Sequence, residues 1–444
     1  MSITIANTAK GKMKGISLKA YTVFKGIPYA KPPVGDLRWK APQEVDAWDN
    51  IYLADTFPRA SMQEVGPRDS FYDKEFYSNP EFVYEPSEDS LYLNIWTPAK
   101  SSEENLPVAI WIHGGAFMGG YGSELEFDGE AYCKRGVILV TINYRLNIFG
   151  FMAHPWLSAE NNQGISGNYG ILDQIAAINW VYNNITAFGG DPSNITIFGQ
   201  SAGAMSVQTL VSSDLTENMI SKAIMQSGGG YDSGLNRDDM TLKHAEKIGQ
   251  EITDMAGIKS IEEFRAMSAK EVLTVFNKAM PIILQKEKSF FMVPVIDGHV
   301  LKEGYNLLID QKKVKNIPYM LGSTKDDILV DPEDVKAGVP SKLQSGCIAW
   351  SKILDDPEIK PAYVYEFRRD LPGDEAGAFH SAELWYMFGT MNRCWRQWEE
   401  HDYKLSDLML DYWSNFMRNG NPNRDRIEDW RPCTKKDTFV KVLG

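Results

Sequence analysis

The chain has 444 residues, 43% of them hydrophobic, and carries 59 acidic against 46 basic residues, for a formal net charge of −13. That balance argues against nucleic acid or any other polyanion as a partner, and no stretch reaches the ~18 apolar residues of a membrane helix. The length is generous for one domain, yet no Gly/Ser-rich or Pro-rich linker, repeat or low-complexity block divides it, so residues 1–444 are expected to form a single α/β domain.

At the N-terminus, Met1 to Thr8 shows no charged region followed by an apolar one, so no signal peptide is expected. The run from Val65 to Pro86 is rich in aromatics (Phe71, Tyr72, Phe76, Tyr77, Phe82, Tyr84). It is expected either to help roof a pocket or to form an irregular surface loop. Val108 to Ile112 is a continuous apolar run of the kind a buried parallel strand shows. It empties into His113-Gly114-Gly115-Ala116-Phe117. Backbone N–H groups on a glycine-rich loop after such a strand can stabilise the oxyanion of a tetrahedral intermediate. The amides of Gly115, Ala116 and Ala202 are assigned that task, with Gly114 freeing the turn and His113 orienting the loop.

Asn168 to Phe188 predicts a covering helix, with Ile171, Ile175, Ile178 and Tyr182 on its inner face. The β-branched run Ile195-Thr196-Ile197 then leads into Phe198-Gly199-Gln200-Ser201-Ala202-Gly203-Ala204, and helix-compatible residues continue to Val211. A G-x-S-x-G between strand and helix is what a nucleophile elbow requires, because a sharp turn there lifts the serine Oγ over the sheet edge. The pattern alone arises often by chance; its flanking strand and helix make it informative.

A nucleophilic serine needs a base and an acid, in the chain order Ser, Asp or Glu, His. Of the six histidines, His113 and His154 precede Ser201. His244 lies in a charged helical stretch and is expected to be solvated, His299 follows a turn, and His401 sits in an acidic surface run. His380 remains as the base. The strand Ile317 to Gly322 runs into Asp326 and Asp327, one of which should face the histidine and the other solvent. Ala362 to Arg368 and Thr438 to Val442 are two later strands.

The chain resembles the type B carboxylesterases, the carboxylesterase and cholinesterase branch of the α/β-hydrolases, and is similar to the bacterial para-nitrobenzyl-esterase kind. The resemblance rests on ordered segments that run nearly end to end: Phe24 to Ala30 with Pro32 to Gly35, Ser87 to Trp96, Asn143 to Leu146, Gly167 to Gln174, Phe188 to Pro192, Met225 to Gly228 and Tyr412 to Phe416. It implies a mostly parallel twisted sheet with helices on both faces and inserted rim segments. A cap-type insertion around 328–376 would be shortened, since only 53 residues separate Asp327 from His380.

The implied function is serine carboxylesterase, acting on small-molecule esters, broad or bulky and aromatic, through an acyl-enzyme on Ser201. An acyltransferase with the same intermediate, or a non-catalytic binding domain, are the alternatives. Asp327 takes the place where relatives usually carry glutamate, and Ser227 that of a serine behind the catalytic histidine. Gln200 replaces the usual glutamate beside the nucleophile, removing a negative charge, so no preference for choline-like esters is expected. Arg38 should pair with Glu88 and Arg145 with Asp173, pinning loops at the site's rim.

Ser61 and Ser90 occupy the places of a disulfide common in secreted relatives. The four cysteines show no paired spacing, which fits a reducing, cytoplasmic setting. There the patterns at Asn184 and Asn194 would stay unglycosylated. No cofactor, metal, nucleic acid or membrane is called for, and the expected partner is a small-molecule ester.

Overall fold

Ten strands form one sheet through the computed structural model, which describes residues 2–64, 70–424, 427 and 429–444. In chain order they are β1 (Ile16–Ser17), β2 (Thr22–Pro28), β3 (Tyr92–Thr97), β4 (Leu106–Ile112), β5 (Ile138–Ile142), β6 (Gly190–Gln200), β7 (Lys222–Gln226), β8 (Tyr319–Thr324), β9 (Ala362–Phe367) and β10 (Val440–Leu443). The spatial order is β1-β2-β3-β5-β4-β6-β7-β8-β9-β10. β1, β2, β3 and β5 pair antiparallel, and every later neighbour pair from β5 through β10 is parallel.

The parallel strands are apolar along their length because both faces are covered. Successive residues of β4 enter different cores: Val108, Ile110 and Ile112 pack into one, and Ala109 and Trp111 into the other. The helices that matter for the site are α1 (Phe71–Phe76), α2 (Tyr169–Asn184), α3 (Ala202–Val211), α4 (Leu242–Ala256), α5 (Ala269–Glu287), α6 (Lys342–Ile353) and α7 (Glu400–Asn419). α2, α3 and α6 supply Ile178, Val207 and Trp350 to the first core; α7 supplies Met409, Trp413 and Phe416 to the second. No helix among the described residues is long and apolar enough to cross a membrane.

Several expectations need adjustment. α2 exists, but its buried face runs through Ile171, Gln174, Ile178 and Val181, while Tyr182 is exposed. The interval 328–376 holds a short helix at Pro332–Ala337, then α6 and β9, and α6 packs on β8 and β9. α6 and β9 thus make part of it crossover helix and sheet. His244 on α4 is not simply solvated, since its Nε2 lies 3.0 Å from Glu287 at the end of α5.

The two arginine pairs form as expected. Arg38 is bidentate to Glu88 at 2.6 and 2.7 Å, and Arg145 to Asp173 at 2.7 Å on both arms. Both border a small crevice of their own, and neither lines the cavity that holds Ser201. Ser61 Oγ hydrogen-bonds Ser90 Oγ at 3.0 Å where a disulfide was ruled out. Asn184 is buried and Asn194 holds the Arg418 carbonyl and Lys222.

Candidate active site

The turn from β6 into α3 puts Ser201 in a conformation few residues tolerate, with φ 56° and ψ −126°. Crowding explains its flanking glycines: a Cβ on Gly203 would lie 2.0 Å from the Ile112 carbonyl oxygen, and one on Gly199 would lie 2.5 Å from the Gly203 backbone. The β4 end and the elbow are thus in direct backbone contact. The Ser201 amide donates to the Gln226 carbonyl at 2.8 Å, tying the elbow to the end of β7.

His380 is reached from the next strand over. Its Nδ1 lies 2.5 Å from Asp327 Oδ1, and the carboxylate also accepts from the amides of Thr324 at 3.0 Å and Ile328 at 2.8 Å. Burial pushes the Asp327 carboxyl up, but His380, the Ser227 hydroxyl beside it and the Thr324 amide outweigh that and hold it below its ordinary value. The Ser227 Oγ stands near without a hydrogen bond of full geometry. Burial lowers the His380 pKa, and the Asp327 charge and hydrogen bond override it, for a net rise above 6.5. Asp326 does not face the ring. Its Oδ2 accepts from the Ala378 amide at 2.9 Å, so it shapes the histidine loop instead of simply facing solvent.

The glycine loop after β4 is left-handed at Gly115 (φ 98°), Ala116 (φ 55°) and Phe117 (φ 60°). Gly114 is not, so conformational freedom is not its task. A Cβ there would come within 2.8 Å of the Gln200 carbonyl oxygen and 3.2 Å of Ser201 Cβ; it is small to let the loop approach the elbow. Among the described residues, the amides of Gly115, Ala116 and Ala202 donate to no protein acceptor, as an oxyanion hole requires. His113 is buried and stacks on Tyr144 with ring centroids 4.4 Å apart, and its Nδ1 lies 2.9 Å from the Gly114 carbonyl. Burial lowers its pKa to about 4, so it is neutral at pH 7.

Gln200 Nε2 lies 3.2 Å from His380 Nε2 and 3.5 Å from Nδ1. Near-equal distances to both ring nitrogens put the amide over the imidazole, in line with neither. No hydrogen bond joins Ser201 Oγ to His380 among the described residues; in unliganded active sites such contacts are commonly loose.

Ser201, His380 and the loop amides open into one cavity of about 330 Å³, with walls that include Tyr72, Phe76, Tyr77 and Trp111. The aromatic run forms part of this cavity's wall through α1 and the adjoining Tyr77, although its residues 65–69 lie outside the described residues. Tyr72 donates to the His380 carbonyl at 3.2 Å, and Phe76 stacks on Trp385 at 5.3 Å. α1 is held down by Glu75, which accepts from Trp385 Nε1, Trp395 Nε1 and Arg396 Nε at 2.8 to 2.9 Å. A second groove of about 580 Å³ shares Tyr72, Tyr77, Gly115 and Gly120 with the first.

Besides Glu75, and Asp402 of the run expected at the surface, three buried acids near the site escaped the sequence reading. Glu383 packs behind the histidine and accepts from Gln226 Nε2 at 3.3 Å; burial and then Asp327 push its carboxyl up to about 7. Glu124 and Glu126 line the catalytic cavity itself. The alternation Ser123-Glu124-Leu125-Glu126-Phe127, just past the glycine loop, was the available signal.

Comparison with known proteins agrees with this geometry. The carboxylesterase family model matches residues 2–342 and 350–443. A fumonisin B1 esterase of Sphingopyxis macrogoltabida is 38% identical over 328 residues, covering 73% of this chain and 56% of that one, so the chain spans little more than half that relative's length. A para-nitrobenzyl esterase of Bacillus subtilis is 31% identical over 490 residues, covering 100% of this chain and 95% of its own. The solved structure of a PNB esterase has a TM-score of 0.85 at 29% identity, covering 99% of this chain and 96% of that one. For a Geobacillus stearothermophilus carboxylesterase the TM-score is 0.81 at 31% identity, with the same coverage. The chain belongs to the carboxylesterase family, has the α/β-hydrolase fold, and is a carboxylic ester hydrolase.

Proposed function

We propose that Ser201, His380 and Asp327 form the catalytic triad of this esterase, and that the amides of Gly115, Ala116 and Ala202 bind the oxyanion. The reading is supported chiefly by the 2.5 Å contact between His380 Nδ1 and Asp327, with Ser201 on a strained elbow in the same cavity. Asp327 holds the proton on Nδ1, which leaves Nε2 as the base. As Oγ attacks the ester carbonyl, Nε2 takes its proton and the carbonyl oxygen gains charge against the three amides. The imidazolium then protonates the departing alcohol. Water repeats the sequence on the acyl-enzyme and releases the acid.

The substrates are small esters, broad or bulky and aromatic, with the larger part extending from the catalytic cavity into the groove across the glycine loop. The roof on α1 supplies the aromatic wall such groups stack against. The chain works as one α/β-hydrolase unit, and its four unpaired cysteines suit a cytoplasmic setting.

The test is initial-rate hydrolysis of p-nitrophenyl esters from acetate to decanoate, wild type against Ser201→Ala. Turnover that the substitution abolishes supports the assignment. Wild-type turnover that survives in Ser201→Ala overturns it.

A further inference from the structure

The glycine loop, His113 to Gly120, follows β4 as irregular backbone. Its amides at Gly115 and Ala116 must stay open to meet a substrate oxygen, so the loop cannot be held from the cavity side. Ala116 and Phe117 are left-handed without being glycine, a conformation that persists only where the surroundings over-determine it. The loop's shape therefore rests on what grips its far side.

That grip centres on Gly120. Gln63 Oε1 accepts from the Gly120 amide at 2.8 Å, and Gln63 Nε2 donates to the Gly120 carbonyl at 3.0 Å. A facing residue of an antiparallel strand would make the same two bonds. The second Nε2 hydrogen goes to the Ser61 carbonyl at 3.0 Å, so both donors of the side-chain amide are used. The segment that carries Gln63 is itself fixed. Ser61 Oγ donates to the Tyr144 carbonyl at 2.7 Å, and Asn147 Nδ2 donates to the Met62 carbonyl at 2.8 Å.

The hold reaches the oxyanion donors through peptide geometry. The Gly115 carbonyl and the Ala116 amide belong to one planar trans unit, as do the Gly114 carbonyl and the Gly115 amide. Holding the two carbonyls therefore aims the two N–H groups the opposite way. The Gly119 amide donates to the Gly115 carbonyl at 3.0 Å. The Gly114 carbonyl lies against Gly120, where an added Cβ would meet its oxygen at 2.8 Å. Residues 119 and 120 thus set both carbonyls, and Gln63 sets residue 120.

Resting on the oxyanion-hole reading above, we propose that Gln63 is a positioning residue for the reaction. Its side-chain amide clamps Gly120 and so aims the N–H groups of Gly115 and Ala116 at the developing oxyanion. Gln63 lines the second groove, and it acts on the reacting atoms only through the loop.

The experiment uses Gln63→Met, which removes all three bonds, and Gln63→Glu, which cannot donate to either carbonyl, both checked for folding by circular dichroism. Rates are measured on p-nitrophenyl butyrate. Inhibition is measured with trifluoromethyl hexyl ketone and methyl hexyl ketone. The trifluoromethyl ketone takes Ser201 Oγ at its carbonyl carbon; the serine proton passes to His380, and the carbonyl electron pair becomes an oxyanion. The methyl ketone binds without that step. A misplacement of ~1 Å costs about 10²-fold in rate, so kcat and kcat/KM should fall together by about 10- to 100-fold, with KM nearly unchanged. The trifluoromethyl ketone should weaken by a similar factor and the methyl ketone should not. The acidic limb of the pH profile should stay in place, because His380 and Asp327 are untouched.

Folded variants with wild-type rates and trifluoromethyl ketone inhibition would overturn the inference and leave the oxyanion-hole reading standing. Equal weakening of both ketones would overturn it too, since that marks a direct contact with the bound chain, as would a shifted acidic limb. A crystal structure of the wild-type trifluoromethyl ketone adduct needs no variant to fold. It should show the oxyanion on the amides of Gly115, Ala116 and Ala202 with Gln63 still bonded to Gly120. Gln63 detached from Gly120 there would overturn the inference alone. An oxyanion lying away from those amides would overturn the oxyanion-hole reading and the inference with it.

Discussion

Gln200→Glu probes the site's electrostatics directly. The substitution puts a carboxylate where the amide nitrogen now lies, 3.2 Å from His380 Nε2. A unit charge at that distance is worth about 5 kcal/mol at an effective dielectric constant of about 20. The new carboxylate's own burial offsets most of this, because Gln200 is itself buried. Opposite charges at such range typically shift a pKa by ~1–3 units, and we expect a rise of about 1–2 units for the imidazolium.

The sign follows from the mechanism. In the proposed mechanism His380 must be neutral to accept the serine proton, and its pKa already lies above 6.5 because Asp327 overrides burial. The wild-type rate should therefore fall as pH drops through a value above 6.5. In Gln200→Glu that acidic limb moves further up, so activity at pH 7 drops while the alkaline plateau is reached later. The assay is kcat/KM for p-nitrophenyl butyrate from pH 5 to 9.5. A limb that stays put, or moves down, would refute the placement of the amide over the imidazole.

Three further outcomes follow. Asp327→Asn should lower kcat by about 10³–10⁴-fold through the wrong imidazole tautomer, while Asp326→Asn, which keeps an oxygen for the Ala378 amide, should cost far less; steady-state rates of the two variants decide it. Gly203→Ala drives a Cβ to 2.0 Å from the Ile112 carbonyl oxygen and should lower the melting temperature by several degrees, since overpacking of this kind costs ~1–3 kcal/mol or more. Glu75→Ala removes the acceptor for Arg396, Trp385 and Trp395 and should cost ~3–5 kcal/mol in urea unfolding, because it strips a buried guanidinium of one of its two carboxylate partners.

What the sequence made legible shares one physical origin. β4 and the end of β6 are buried on both faces, so they read as uninterrupted apolar runs. The glycines after them are forced by backbone contact, so they read as motifs. The elbow and the glycine loop followed from those, and His380 from elimination among the six histidines. Properties that arise only on assembly were less legible. The inner face of α2 depends on where the sheet lies, and placing Tyr182 there chose the wrong edge of the apolar stripe.

Asp326 and Asp327 are adjacent and chemically alike, and only the loop's path decides which meets the ring. Gly114 looked like a hinge because the sequence shows a small residue without showing the Gln200 backbone pressed against it. Glu124, Glu126 and Glu383 were passed over because acids are ordinarily exposed, and burial cannot be read from a charged letter in one sequence.

The central claim is an acyl-enzyme on Ser201, and trapping it is the most direct test. A slowly deacylating aryl ester would be mixed with the enzyme, quenched in acid within one turnover, and the protein digested for mass spectrometry. The account predicts an acyl mass on the peptide bearing Ser201, absent in Ser201→Ala and accumulating when His380 is neutral. Ester turnover with no adduct on that peptide, or an adduct on another residue that persists in Ser201→Ala, would contradict it.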